Sequence, residues 1–251
     1  MTLGGVKLGY YIIRDHIILW EAINFMEISM FEVLGPVMIG PSSSHTAGAA
    51  KIARIARRVA NEDVRKVLFS LHGSFAKTYK GHGTDKALVA GILGMKEDDE
   101  EIRNSFKLAQ QQGIEFNFVE TELKNSHENS VLIEIYDSND ICHKVIGSSI
   151  GGGRILITNI DDFEVEISAK NPVIIIKQRD RKGVVSDITS LLAKNNINIG
   201  VMRVSRKEKG IEASTVIETD DEVPINIIEQ LSCIENIDDV KVLNFTQSQD
   251  W

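Results

Sequence analysis

From Thr46 to Ala60 the apolar positions Ile52, Ile55, Ala56 and Val59 recur at helical spacing, with Lys51, Arg54, Arg57 and Arg58 mostly on the other face. An amphipathic helix is predicted there. Val64 to Leu71 reads as a short buried strand, Thr84 to Leu93 as a small-residue helix, and Asp98 to Gln112 as a polar-faced helix capped by Gly113. Glu115 to Val119, Val131 to Tyr136, Lys144 to Ile150, Arg154 to Asn159 and Phe163 to Ser168 then alternate as strands do. Residues 30–168 are therefore expected to form a mixed α and β domain.

The pattern changes near Ser168 to Pro172. Val173 to Lys177 is a strand-like apolar run without alternation, followed by a helix over Val184 to Lys194 with Val185, Ile188, Leu191 and Leu192 on one face. Asn198 to Ser205 alternates as a strand, turns near Lys209-Gly210 into Ile211 to Glu218, and is followed by a helix over Val223 to Leu231 and a strand over Val240 to Phe245. The order βαββαβ over residues 172–246 is the ferredoxin-like plan, a four-stranded antiparallel sheet with two helices on one face. The expected fold class is α+β. Residues 1–29 show no clear period and are expected to be an N-terminal extension of unknown role, with an upstream extension of the reading frame as the alternative.

Composition narrows the partners. The 251 residues include 28 Lys and Arg against 36 Asp and Glu, a formal net charge of -8. That balance removes the general attraction that a phosphate backbone or an anionic membrane exerts on a basic protein, so nucleic acid and membrane are not expected as partners. The partly apolar segment Tyr10 to Ile23 is interrupted by Arg14, Asp15, His16 and Glu21, well short of the ~20 apolar residues of a membrane span, and no small-residue cleavage site follows. A cytoplasmic setting is expected. The two cysteines, Cys142 and Cys233, allow no disulfide framework and no cluster of three or four thiolate ligands within one chain.

The densest polar constellation is Gly40-Pro41-Ser42-Ser43-Ser44-His45-Thr46-Ala47-Gly48, placed directly before a predicted helix. Backbone N–H groups and four hydroxyls converge there, where the helix dipole favours an anion such as a carboxylate, and His45 adds a titratable group. A plain N-cap formed by Ser44 or Thr46 is the alternative. Two more histidines sit in glycine-flanked patterns, His72-Gly73-Ser74 at a strand end and His82-Gly83-Thr84-Asp85 at the head of the next helix. The three could converge, but their spacings match no zinc pattern, and no metal site is expected on this chain. Lys77, Tyr79 and Lys80 either offer positive charge to an anionic substrate or belong to a solvated loop. Gly151-Gly152-Gly153-Arg154 reads as a turn between strands, and His16, His127 and His143 stand alone.

At these residues the sequence resembles the β subunit of bacterial iron-sulfur-dependent L-serine dehydratase, also called L-serine deaminase. The runs Gly35 to Gly48 and Leu71 to Asp85 look like its signatures, and Pro172 to about Phe245 resembles an ACT domain, a regulatory amino-acid-binding module. The resemblance implies a first domain of the allosteric-substrate-binding type, and conversion of L-serine to pyruvate and ammonia. It also implies an α subunit as partner, carrying a 4Fe-4S cluster as Lewis acid. By the same resemblance His45, His72 and His82 are the candidate catalytic residues, and Ser42, Ser43, Ser44, Thr46, Gly73, Ser74, Gly83 and Thr84 the candidate substrate-binding residues. In the ACT module Asp180, Gly183, Val184 and Asn198 take the positions of a regulatory ligand site, although Lys182 replaces the usual proline before that glycine and leaves the loop less pre-organised. Such modules often pair, so a homodimeric contact is expected. The alternatives are a non-catalytic amino-acid-sensing protein, as in the allosteric parts of some phosphoglycerate dehydrogenases, and a pure assembly partner; neither a dehydrogenase domain nor a GxGxxG motif is present.

Overall fold

The computed structural model describes residues 37–161 and 163–244 of the chain. The expected extension over 1–29, the Gly35-Pro36 pair and the expected strand end at Phe245 lie outside them. The predicted first helix is present and begins earlier than its apolar period: a π-helical segment, Ser43–Gly48, runs directly into α1, Ala49–Val59. Its buried face is made almost wholly of small residues and β-branched side chains, with Ala49, Ala50, Ile52, Ala53, Ile55 and Ala56 all fully buried. β1 (Lys66–Leu71) leads into α2 (Gly73–His82) and α3 (Thr84–Ile92), and a 3-10 turn, Glu100–Asn104, precedes α4 (Ser105–Gln111).

Strands β2 (Glu115–Glu120), β3 (Ser130–Tyr136), β4 (Cys142–Gly151), β5 (Arg154–Ile160) and β6 (Phe163–Ile167) complete a six-stranded sheet of order β2-β1-β3-β4-β5-β6. Only the β1–β2 pair is parallel, because α2, α3 and α4 carry the chain across between them. Val67, Phe69 and Leu71 of β1, Val131, Ile133 and Ile135 of β3, and Ile155 and Ile157 of β5 alternate onto the buried face that receives α1 and α3.

Three expectations need correction. Lys77, Tyr79 and Lys80, read as charge donors or loop, lie on α2, a helix hidden from periodicity by its glycines and by having only Phe75 and Ala76 fully packed. His82 accordingly closes α2 instead of opening α3, and Gly83, at φ +71°, makes the left-handed turn between them. Arg54, assigned to the polar face of α1, is only 4% exposed. Its guanidinium donates to Glu97 at 2.9 Å and to the Met95 carbonyl at 3.4 Å, while Lys51 approaches the same carboxylate at 3.2 Å.

The chain then enters a second sheet. β7 (Val173–Arg179), α5 (Val184–Lys194), β8 (Ile199–Glu208), β9 (Glu212–Thr219), α6 (Ile225–Ser232) and β10 (Ile237–Leu243) give the expected βαββαβ order, with all strand neighbours antiparallel in the order β10-β7-β9-β8. The absence of alternation in β7 has a physical reason. Ile174 and Ile176 pack with Ile188, Leu192 and Leu231 of the two helices, while Val173 and Ile175 join the core of the first sheet together with Val216 and Leu243. A strand buried on both faces has no polar side to alternate with. Residues from Val37 onward form one compact unit. Polar ties flank the seam: Lys241 to Asp161 at 2.7 Å, Arg203 to Glu166, and Arg58 to the Asn244 carbonyl. Among the described residues no helix is long and apolar enough to cross a membrane.

The Arg54–Glu97 pair gives a stability test. Removing the carboxylate takes the charge partner from a buried guanidinium that keeps the Met95 carbonyl, and breaking a buried pair from one side costs up to about 3–5 kcal/mol. Glu97→Ala is expected to lower unfolding stability by about that amount, read from urea denaturation followed by circular dichroism. A loss below about 1 kcal/mol would show that the pair is not buried in solution.

Candidate active site

The serine-rich motif forms the start of the first helix. Ser42 is extended (φ −146°, ψ 126°) and is the N-cap in place of Ser44 or Thr46: its Oγ accepts the His45 backbone N–H at 3.3 Å, and its carbonyl accepts Thr46 N–H at 2.8 Å. No acidic side chain occupies the first turn, so the positive end of the helix faces no built-in anion. Ser43 and Ser44 stay partly exposed and make no side-chain hydrogen bond within the described residues.

His45 points from this turn into the start of α2. Its Nδ1 lies 3.3 Å from Ser42 Oγ, and its Nε2 lies 3.3 Å from Ser74 Oγ and 3.1 Å from Thr78 Oγ1. The ring meets Phe75 edge-on at 5.2 Å between centroids and tilts against His82 at 4.7 Å. Burial holds the imidazole pKa below its usual 6.5, the neighbouring His82 lowers it further, and only the Ser74 backbone works the other way. A neutral ring at physiological pH is a proton acceptor, not a cation.

Around this pair several buried polar atoms have no partner among the described residues: Thr46 Oγ1, His82 Nδ1, Thr84 Oγ1, Asn129 Oδ1 and Ser149 Oγ. Buried polar groups are ordinarily hydrogen-bonded, and unpartnered atoms on two of the three motifs, at Thr46 and at His82 and Thr84, mark a place where bonds are left for something else. Asn129 and Ser149 were not among the expected site residues. They are tied to it through the backbone: Ser149 N–H donates to the Asn129 carbonyl at 2.9 Å, and Ser74 N–H donates to the adjacent Glu128 carbonyl at 2.7 Å. Ser149 also abuts the helix start, since a Cβ on Gly48 would come 2.1 Å from its Oγ. The available signal was the hydroxyl pair Ser148-Ser149 just before the glycine run; Thr78 was missed with its helix.

His72 is not brought to the other two histidines. Its Nδ1 accepts the Leu123 N–H at 3.1 Å, and it lines a separate open hollow with Lys77, Glu120, Glu122 and Glu128. Gly73 serves the backbone: at φ +58° a Cβ there would come 2.5 Å from the Glu128 carbonyl oxygen. Burial raises the Asp85 carboxyl pKa beside the Gly83–Thr84 turn.

The four expected regulatory positions do not meet within one copy. Asp180 accepts from Gly210 N–H at 2.7 Å and from Arg206 at 3.1 Å, and these partners hold its carboxyl below the usual range despite some burial. Gly183 opens α5 and Val184 is buried in the core beneath it. Asn198 instead pairs with Asp220. Gly210 follows β8 and Asn198 precedes it, so Asp180 and Asn198 stand at opposite ends of a ten-residue strand, roughly 30 Å apart.

Among the described residues no three His, Cys, Asp or Glu are grouped to hold a metal ion; Cys142 lies on β4 of the first sheet and Cys233 caps α6 in the βαββαβ module. The residues present do not fit a thiolate-bound cluster.

A six-stranded mixed α/β domain with a hydroxyl-lined histidine at its first helix, continued into a βαββαβ module, places the molecule in a class of chains that join a site-bearing domain to an ACT domain; residues 172–232 match the ACT domain family. Residues 29–159 match the family described as serine dehydratase beta chain, and the chain belongs to that family. It is 41% identical over 209 residues to the probable L-serine dehydratase, beta chain, of Bacillus subtilis, covering 83% of this chain and 94% of that one. It is 44% identical over 195 residues to the L-serine dehydratase, beta chain, of Peptoniphilus asaccharolyticus, covering 77% and 88%. A D-3-phosphoglycerate dehydrogenase of Bacillus subtilis is 26% identical over 198 residues, 78% of this chain but 37% of that protein.

Burial and His82 both lower the His45 pKa, and the two can be separated. His82→Asn is expected to raise the His45 pKa toward 6.5 without reaching it, because burial remains. Titration of the ring Cε1–H by NMR reads this directly; an unchanged midpoint would mean that His82 does not act on His45. A folded pKa below the unfolded value also means that the neutral ring's contribution to stability is present above pH 6.5 and is lost as pH falls through the folded value.

Proposed function

We propose that this chain is the β subunit of a cytoplasmic L-serine dehydratase and supplies the substrate-holding and proton-accepting half of its site. Conversion of L-serine to pyruvate and ammonia removes a proton from C2 and hydroxide from C3, then hydrolyses the resulting enamine through its imine. A Lewis acid for the C3 hydroxyl is what a four-iron cluster on an α subunit would supply. This chain's own part follows from its residues. The helix start, with free N–H groups and the Ser43 and Ser44 hydroxyls, is suited to the substrate carboxylate. His45, buried and neutral, is the acceptor for the C2 proton, with His82 beside it.

The observation that carries this reading is the buried imidazole of His45, its pKa lowered by burial, among the hydroxyls of Ser42, Ser74 and Thr78 and against His82, in a chain of the serine dehydratase beta chain family. Anaerobic co-expression with the candidate α chain, followed by assay of pyruvate from L-serine, tests it. Removing a general base ordinarily costs about 10²–10⁴ in rate, so His45→Ala is expected to lower kcat at least ~100-fold. Turnover unchanged within about twofold would remove His45 from the chemistry. No pyruvate from the wild-type pair would favour the amino-acid-sensing alternative.

For the ACT module we propose side-by-side pairing of two copies through β8. That strand is an edge of its sheet, with Val201 and Val204 each 46% exposed. Pairing would also bring the Asp180 loop of one copy toward Asn198 of the other, which a single copy keeps apart, and so complete an amino-acid site. Val201→Asp is expected to shift the chain from dimer to monomer in sedimentation velocity; a monomeric wild type, or a dimer indifferent to this change, would discard the arrangement.

A further inference from the structure

Thr78 lies within the signature run Leu71 to Asp85 but was not among the candidate site residues, and it sits one turn into α2, four residues after Ser74. A hydroxyl has a single hydrogen, and Thr78 spends it on the helix: its Oγ1 donates to the Ser74 carbonyl at 2.8 Å. What it presents to His45 Nε2 at 3.1 Å is therefore a lone pair. A bare ring nitrogen there would place lone pair against lone pair, whereas an N–H makes a hydrogen bond, so Nε2 carries the proton. The Ser74 backbone, an acceptor on the same side, works in the same direction.

The other nitrogen is then an acceptor, and its neighbour is matched to it. Ser42 Oγ accepts the His45 backbone N–H at 3.3 Å, which uses a lone pair and leaves its only hydrogen to point at Nδ1, also 3.3 Å away. Ser42 Oγ keeps a second lone pair and could equally accept from Nδ1, and Ser74 Oγ, 3.3 Å from Nε2, can donate to that nitrogen or accept from it, so the Thr78 contact is what separates the two tautomers. With the proton on Nδ1, Thr78 must abandon the Ser74 carbonyl or set its lone pair against an unprotonated Nε2.

We propose that Thr78 is a positioning residue that fixes the tautomer of His45, holding the proton on Nε2 and leaving Nδ1, the nitrogen facing Ser42, as the basic atom. The inference deepens the reading of His45 as proton acceptor and rests on it for its catalytic consequence: the substrate proton is delivered on the Ser42 side of the ring, at the helix start where the carboxylate is held, and not on the α2 side. Ser42 Oγ still caps the helix through the His45 N–H, and its hydroxyl hydrogen marks the position at Nδ1 that the substrate C2–H would take.

The test reads the tautomer itself and needs no α chain or cluster. In the full-length chain labelled with nitrogen-15 on histidine, long-range proton–nitrogen spectra at a pH above the His45 midpoint are expected to show a pyrrole-like Nε2 and a pyridine-like Nδ1. His45→Gln identifies the signals. Thr78→Val is expected to move the two nitrogen shifts toward each other as the tautomers mix, and Thr78→Ser to restore the wild-type pattern, with His127 and His143 unmoved as a check on folding. A wild-type spectrum with the proton on Nδ1 would overturn the proposal, and does so even if the valine variant fails to fold; a folded Thr78→Val with the wild-type tautomer would overturn it as well. In the reconstituted complex Thr78→Val should lower kcat with KM little changed and Thr78→Ser should recover it. A correct tautomer in a complex whose turnover ignores His45 would instead count against the functional reading alone.

Discussion

The structure depends on how closely one helix lies against its neighbours. Three glycines on three different elements make room for the first helix. A Cβ on Gly91 of α3 would come 2.3 Å from the Ala50 carbonyl, one on Gly147 of β4 would come 2.6 Å from Ile52, and Gly48 of the helix itself lies against Ser149. Packed interiors do not absorb such overlaps without moving the backbone. The alanines of α1 work in the same sense, trading apolar area for proximity. Because α1 cannot shift or rotate, its first turn is held at one depth over the sheet and one distance from α2. His45 is built on that turn, so its contacts with Ser74 and Thr78 on α2 are set by packing several residues away.

The features legible in the sequence were those with a local cause. The period of Ile52, Ile55, Ala56 and Val59 defines α1 without help from the rest of the fold, and the βαββαβ order follows from turn residues and strand runs that each occupy a few positions. The serine-rich motif was visible as a site for the same reason, since a helix start displays its N–H groups whatever lies around it. What was hidden depends on partners far along the chain. Arg54 looks like one more surface cation until Glu97 arrives to pair with it. Helix α2 has only Phe75 and Ala76 fully buried, too few for a period to register, and with the helix unseen Thr78 had no reason to face His45. Asn129, in the turn before β3, and Ser149, on β4, are brought together by the pairing of those two strands, and no spacing along the chain says so.

The seam between the two sheets follows from the same kind of accounting. β7 gives Ile174 and Ile176 to its own helices and Val173 and Ile175 to the first core, so neither sheet can release the other without exposing one face of that strand. Burial of an aliphatic side chain is worth about 1.5–3 kcal/mol, several times an exposed ion pair, so the apolar seam outweighs Arg203–Glu166 and Lys241–Asp161 in holding the module in place. A ligand received at the edge of the ACT sheet would therefore act on a module whose opposite face is part of the first domain's core. The path from such a ligand toward α1 is short, because β10 and the Asn244 carbonyl already touch the helix through Arg58.

The unpartnered polar atoms tie the site to assembly. A buried donor or acceptor without a partner costs roughly 1–3 kcal/mol, and a domain is stable by only about 5–15 kcal/mol in total. Thr46, His82, Thr84, Asn129 and Ser149 each hold such an atom; Thr46 follows His45 in the chain, His82 meets its ring, and Ser149 abuts the same helix start. A chain meant to work by itself would gain from replacing several of them with apolar groups of the same shape. Keeping them is advantageous where another molecule supplies the missing bonds, because each bond then forms only in the assembled state and contributes to its specificity. In the proposed function the completed hydrogen bonds of His45 and the incomplete ones of its neighbours would have different purposes: the first set orients the ring within the chain, and the second is left for a molecule that the chain does not itself provide.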